Sequence, residues 1–192
     1  MHRKSAITQG MNRGGSVAKT FTVWNDGQIE IDGRRGRCAL GPAGVIAAGA
    51  KREGDGATPA GNWPLRRVLY RPDRLARPAG ALETHALRPD DGWCDDPRDP
   101  AYNRPVTWPY RAGAEHLWRE DEVYDLIVVL GHNDAPVIAG AGSAIFLHIA
   151  KDDYAPTRGC VALAPQDLLA LLAAAQPGDA LKIVSENAPD QP

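Results

Sequence analysis

Phe146-Leu147-His148-Ile149-Ala150 and Thr157-Arg158-Gly159-Cys160-Val161-Ala162-Leu163 are two apolar runs joined by the polar, proline-broken link Lys151-Asp152-Asp153-Tyr154-Ala155-Pro156. Short apolar runs bounded by turn signals read as buried strands. The first run carries a histidine in its interior. The second opens on a Gly-Cys pair, with the cysteine twelve residues after the histidine. A turn in the link brings both side chains to one end of a sheet.

The flanking sequence supplies the rest of that sheet. Val123 to Leu130 is continuous and rich in β-branched residues, which predicts a central strand ended by Gly131-His132-Asn133-Asp134. Thr20–Trp24 and Gln28–Asp32 alternate around Asn25-Asp26-Gly27, the signature of a hairpin. Arg37–Leu40, Val45–Ala48, Leu65–Tyr70 and Leu181–Val184 read as further strands. Pro165 to Ala175 is the one clear helix, with proline in its first turn and Leu168, Leu171 and Leu172 on one face. Many short strands and few helices predict a mainly β sandwich with a C-terminal helix.

Two segments break the pattern. Residues 51–64 form a Gly- and Pro-rich loop without the Gly-Lys-Ser/Thr ending of a phosphate cradle. Residues 71–122 hold seven of the 16 prolines together with Trp93, Trp108 and Trp118. A long segment without regular pattern is usually functional or disordered. The tryptophans favour order, so this stretch is expected to be an irregular lid-like insertion, with Trp93 and Trp108 over a cleft. The expected division is a disordered basic tail over 1–19, a catalytic domain over 20–184 and a polar tail over 185–192.

The 192 residues suit one domain at about 150 residues per domain. A net charge of −2 gives no general attraction to nucleic acid. No apolar run reaches the roughly 20 residues of a membrane span. Nor does the start of the chain hold the roughly 7–15 apolar residues of a secretory signal. The expected compartment is therefore the cytoplasm, or the periplasm if export information is missing. Cys38, Cys94 and Cys160 are odd in number and widely spaced, which argues against a disulfide framework and a cysteine-rich zinc site. No cofactor motif is present.

Gly159-Cys160 and His148 suit a nucleophile and its base. A thiol attacks as the thiolate, and histidine can take its proton and return it. Glycine before the cysteine permits unusual backbone conformations and leaves room for a carbonyl. The N–H groups of Gly159 and Cys160 are candidate oxyanion donors. Other readings stand beside this one. Cys160 is equally a small buried hydrophobe, and His148 a core histidine. His132 reads as a cleft residue, a structural residue, or a zinc ligand with His148 and Cys160.

At these residues the chain resembles the L,D-transpeptidase (YkuD-like) catalytic domain. The shared features are His148 on a strand followed by Thr157, Gly159 and Cys160, and a Thr58-Pro59-Ala60-Gly61-Asn62-Trp63 loop like that family's Thr-Pro-x-Gly-x-aromatic segment. The likeness covers roughly residues 20–184. It implies a β-rich fold and acyl transfer on peptidoglycan stem peptides or muropeptides, at the bond from an L-centre to terminal D-Ala. It implies Cys160 as nucleophile and His148 as base, the latter oriented by the backbone carbonyl of Ile149. Three features depart from the family pattern. Arg158 stands where a second histidine is usual, Ala162 where an Arg or Asn is common, and the His-to-Cys interval is short. Arg158 is read either as a cation for a substrate carboxylate or as a solvated turn residue. Thr157, Arg158, Gly159 and His132 are thus the expected substrate and oxyanion contacts. In the cytoplasm, water is the expected acceptor, making the enzyme an L,D-carboxypeptidase of peptidoglycan recycling. The competing reading is a non-catalytic domain that binds peptidoglycan fragments.

Overall fold

A computed structural model describes residues 18–189. Nearly all of the expected basic tail, and the end of the polar tail, lie outside the described residues. Thirteen strands and one α-helix make the fold mainly β, as the sequence predicts. Strands β1 (Thr20–Val23), β2 (Gln28–Ile31) and β3 (Arg34–Ala39) form an antiparallel meander. The Asp26-Gly27 turn closes its first hairpin, with Gly27 at φ +77°. The short β4 (Val45–Ala47) pairs in parallel with the start of β5 (Thr58–Tyr70).

At thirteen residues, β5 is twice the strand expected there. Its first half lies inside the stretch read as a loop, because Pro59, Gly61 and Pro64 look like breakers when seen locally. Those residues nevertheless pair, Pro59 with Ile46 and Pro64 with Ala180 of β13 (Ala180–Ile183). Tertiary pairing overrides local propensity here. The second half of β5 pairs instead with β10 (Leu126–Leu130). Strand β3 is shared in the same way, with β2 along most of its length and with β12 (Val161–Leu163) at Cys38 and Ala39. Strands that switch sheets form the corners of a sandwich. One sheet runs β3-β2-β1-β13-β5 and the other β5-β10-β11-β12-β3, with β11 spanning Phe146–Ile149. Helix α1 (Pro165–Ala174) follows β12 and buries Leu168, Leu171 and Leu172 in the core. Full burial of each leucine contributes about 1.5–3 kcal/mol.

The continuous apolar character of β10 and β11 has a direct cause: both faces of these strands are covered. Leu126, Val128, Leu130, Leu147 and Ile149 face the inner core with α1. Ile127, Val129 and Phe146 face outward into a second core that includes Leu87, Trp93, Leu117, Tyr124 and Cys160. The 71–122 segment supplies Leu87, Trp93 and Leu117 to that core and is less irregular than its composition suggests. After β6 (Thr84–Ala86), an edge partner of β5, come β7 (Asp91–Cys94), β8 (Pro105–Thr107) and β9 (Ala114–His116). These three form their own small sheet in the order β8-β7-β9. Trp93 packs edge-on to Phe146 at 5.1 Å, and Trp108 stacks on His116 at 5.0 Å. Apolar ring contacts replace the missing sequence periodicity.

Strands β11 and β12 run parallel, with Leu147 opposite Val161 and His148 opposite Ala162. Residue alternation puts His148 on the same face as Phe146, toward the inserted sheet. Cys160 immediately precedes β12, level with Phe146.

Candidate active site

A cleft of about 600 Å³ lies between the ends of β11 and β12 and the inserted segment. Cys160, His148, Thr157 and Arg158 line it on the sheet side, and Asp95, Ala114, Glu115 and Arg119 on the insertion side. The insertion therefore borders the cleft, but not through the residues expected. Trp93 is buried in the second core and Trp108 lies against His116, and neither lines the cleft.

His148 is 6% exposed, and its Nδ1 lies 2.9 Å from the carbonyl oxygen of Ile149. A carbonyl only accepts, so Nδ1 carries the proton and Nε2 is left with a free lone pair. Tyr124 packs its ring edge-to-face on the imidazole at 5.3 Å. Burial lowers the His148 pKa to about 4, the Ile149 carbonyl opposing that shift. The resting imidazole is therefore neutral.

Cys160 is also 6% exposed. Its thiol donates to Ala144 O at 3.1 Å and accepts the Phe146 N–H at 3.4 Å. Burial raises its pKa to about 12, with the Glu115 charge adding to the rise. A thiolate held ionised at rest by the neighbouring imidazole is disfavoured here. Both partners sit in a desolvated wall, where the charged form of each is penalised. The resting pair is neutral thiol and neutral imidazole.

The turn before Cys160 is fixed by Thr157. Its Oγ1 donates to Cys160 O at 2.7 Å and accepts the Gly159 N–H at 3.1 Å. Gly159 N–H, one of the two expected oxyanion donors, is thus already engaged. The other, Cys160 N–H, has no hydrogen-bond partner among the described residues. Gly159 has φ +120°, and a Cβ there would lie 2.6 Å from Ala57 O. Both conformation and space require glycine. Arg158 is exposed at the cleft edge and forms no ion pair among the described residues.

His132 does not belong to the cleft. It is 5% exposed, packs edge-on to Trp63 at 4.8 Å, and donates Nε2–H to Ala141 O at 3.0 Å. Its Nδ1 is buried without a partner, and burial lowers its pKa. Its position just past the end of β10 puts it under the 139–143 loop, which is why it does not line the cleft beside Cys160. Among the described residues no group of three or more His, Cys, Asp or Glu is placed to hold a metal ion, which removes the zinc reading.

Several residues of the site carry no sequence signal of their own. Asn103, at φ +55° and 4% exposed, accepts Trp93 Nε1–H at 2.9 Å and Ala144 N–H at 3.1 Å through its carbonyl oxygen. Its amide donates to His132 O and Asn133 O. It thereby anchors Ala144, itself at φ +50°, whose carbonyl receives the thiol. Glu53 lines the cleft and accepts both Tyr102 O–H and Ser143 O–H on one oxygen. An asparagine in a turn and a glutamate in a Gly-rich loop look ordinary until the tertiary partners are known.

A family model described as the L,D-transpeptidase catalytic domain (YkuD) matches residues 16–184. No curated protein and no solved structure gives a significant match.

Proposed function

The chain belongs to the L,D-transpeptidase catalytic-domain family, and from that membership we propose that it is a cysteine acyl-transfer enzyme. Its substrate is a peptidoglycan stem peptide, cut at the bond from the L-centre to terminal D-Ala. What supports the reading is one arrangement: His148 keeps Nδ1–H on Ile149 O, so Nε2 is an unprotonated base in the cleft that also holds Cys160.

The neutral pair sets the order of events. An entering carbonyl draws the thiol off Ala144 O. His148 Nε2 takes the thiol proton as Sγ bonds to the carbonyl carbon, so no free thiolate accumulates. Cys160 N–H is the candidate donor to the developing oxyanion. The C–N bond then breaks, and His148 returns the proton to the departing D-Ala amine. An acceptor attacks the thioester, gives its proton to His148, and the thiol is restored. With water as acceptor the activity is an L,D-carboxypeptidase; with an amine it is a transpeptidase.

One observation favours the second reading, a domain that binds fragments without turnover: the thiol is buried, protonated and directed at Ala144 O. Mass spectrometry separates the two. A tetrapeptide stem incubated with the protein should lose D-Ala and leave a transient acyl adduct on Cys160, absent in Cys160→Ser. An intact peptide bound without any adduct would support the binding domain instead.

A further inference from the structure

The acids of the cleft are not used equally. Glu53 spends an oxygen on Tyr102 and Ser143, holding two loops together. Asp95 sits farther along the wall, in β7's following turn, where burial and the Glu53 charge raise its pKa. Glu115 on β9 differs from both. Its Oε1 accepts the Tyr124 O–H at 2.8 Å, and its carboxyl group makes no other hydrogen bond or ion pair among the described residues. Tyr124 is the residue packed on His148, at 5.3 Å. The charge of Glu115 also reaches Cys160, where it is the largest influence after burial itself. The charges of Arg119 and Arg158 reach it, but neither closes an ion pair with it, and Arg119 is held by Asp121 through two bonds of 2.7 Å.

A half-buried carboxylate with one neutral hydrogen bond and no ion-pair partner is costly to keep. It also works against the nucleophile, since it makes thiolate formation harder. A group that hinders the first half of a reaction needs a use in the second half. The second half delivers an acceptor to the thioester on Cys160, on the wall that Glu115 faces.

We propose that Glu115 is the acceptor-binding residue, taking a primary amine as its ammonium ion and delivering it to the acyl-cysteine. This rests on the acyl-transfer reading above and deepens it, since it names the residue that holds the acceptor. Glu115 takes one proton from the ammonium. The freed nitrogen lone pair forms the C–N bond at the thioester carbonyl, and the C–S bond breaks. His148 passes the second amine proton to the departing sulfur, and Glu115 releases its proton to water. Burial, which raises the Glu115 pKa, makes it a better acceptor for that proton.

The test uses the full chain, a stem tetrapeptide as donor and glycinamide as acceptor, a cation that carries no carboxylate for Arg158. Glu115→Gln keeps an acceptor oxygen for Tyr124 and removes only the charge. The ratio of glycinamide adduct to hydrolysed product should fall at least tenfold in Glu115→Gln and recover partly in Glu115→Asp. Iodoacetamide labelling of Cys160 should meanwhile become faster with the thermal midpoint unchanged, whereas a loss of structure at the site would lower that midpoint. A measurement free of any variant uses tetramethylammonium, which can occupy a carboxylate site but cannot attack. It should inhibit transfer and spare hydrolysis in the unmodified protein. An unchanged ratio in Glu115→Gln, or hydrolysis alone in the unmodified protein at saturating glycinamide, overturns the assignment of Glu115 and leaves the acyl-transfer reading standing. Absence of any acyl adduct on Cys160 overturns both.

Discussion

The thiol of Cys160 is hydrogen-bonded to the carbonyl oxygen of Ala144, 3.1 Å away, and makes no hydrogen bond to His148 among the described residues. Cys160, the proposed nucleophile, and His148, its candidate base, both line the cleft.

Slow alkylation in the resting state follows. With its pKa at about 12, Cys160 holds little thiolate at neutral pH. Iodoacetamide should label it slowly at pH 7, with the rate climbing steadily above pH 9. A stem peptide or other acyl donor that displaces Ala144 O should acylate it faster than the small alkylating agent does. Fast thiolate-like labelling at pH 7 would contradict the neutral pair.

The acid limb should be displaced downward. His148 has its pKa lowered from 6.5 to about 4 in the fold. The unfolded chain binds a proton near 6.5 that the folded chain refuses until about pH 4. Stability is therefore complete above pH 6.5 and falls as pH drops toward 4, by on the order of 3 kcal/mol at most. Urea denaturation of the protein and of His148→Gln across this range should show a pH-dependent difference that closes at pH 7. Turnover that needs neutral imidazole should persist below pH 6, wherever the fold survives.

Gly159→Ala should remove activity and destabilise the protein by on the order of 1–3 kcal/mol, because it meets both a φ of +120° and the Ala57 carbonyl at 2.6 Å. Gly140→Ala provides the control. Its φ is +76° but nothing lies within 4 Å of the new Cβ, so only the conformational penalty of about 1 kcal/mol applies. Thermal denaturation should rank the two in that order, and activity should survive only in Gly140→Ala.

Asn103→Ala strips the Trp93 indole and the Ala144 amide of their buried acceptor. Each unsatisfied group costs about 1–3 kcal/mol, so a loss of more than 2 kcal/mol is expected in urea denaturation. Asn103→Asp keeps that acceptor oxygen and should recover part of the loss, though it forfeits the bonds to His132 O and Asn133 O.

Arg158→Ala touches no ion pair and should leave stability within about 0.5 kcal/mol. If Arg158 meets a substrate carboxylate, kcat/KM for a free D-Ala carboxylate should fall about tenfold, with a much smaller fall for the corresponding amide. Equal losses for acid and amide would return Arg158 to the role of a solvated turn residue.

The sequence exposed the β-rich fold, and pointed to Cys160 and His148, which line one cleft, because their signals are local. An apolar run reports a covered strand, and Gly before Cys reports a backbone demand. Thr157 was singled out as a contact residue, whereas its hold on the turn, through residues two and three positions away, became visible only in the fold. Glu115, Tyr124 and Asn103 were not singled out. Each makes its contacts with a partner that is distant in the chain or supplied by ring packing, and Asn103 and Glu115 lie in a segment whose prolines hide its strands. The first half of β5 was missed because Pro and Gly discourage a strand only while its partners are ignored. His132 was misplaced because a polar residue at a strand end looks available, and only the fold shows Trp63 and the 139–143 loop around it.

The parallel rungs joining β11 to β12 have a consequence for how this chain tolerates change. The spacing of sulfur and imidazole is fixed by hydrogen-bonded backbone, with Leu147 beside Val161 and His148 beside Ala162. The bend at 151–156 only has to reach from one rung to the next. Its length is therefore not what sets the register of His148 and Cys160. Lys151, Ala155 and Pro156 on that bend line the cleft, so replacing the bend reshapes the cleft wall while leaving the β11–β12 register in place.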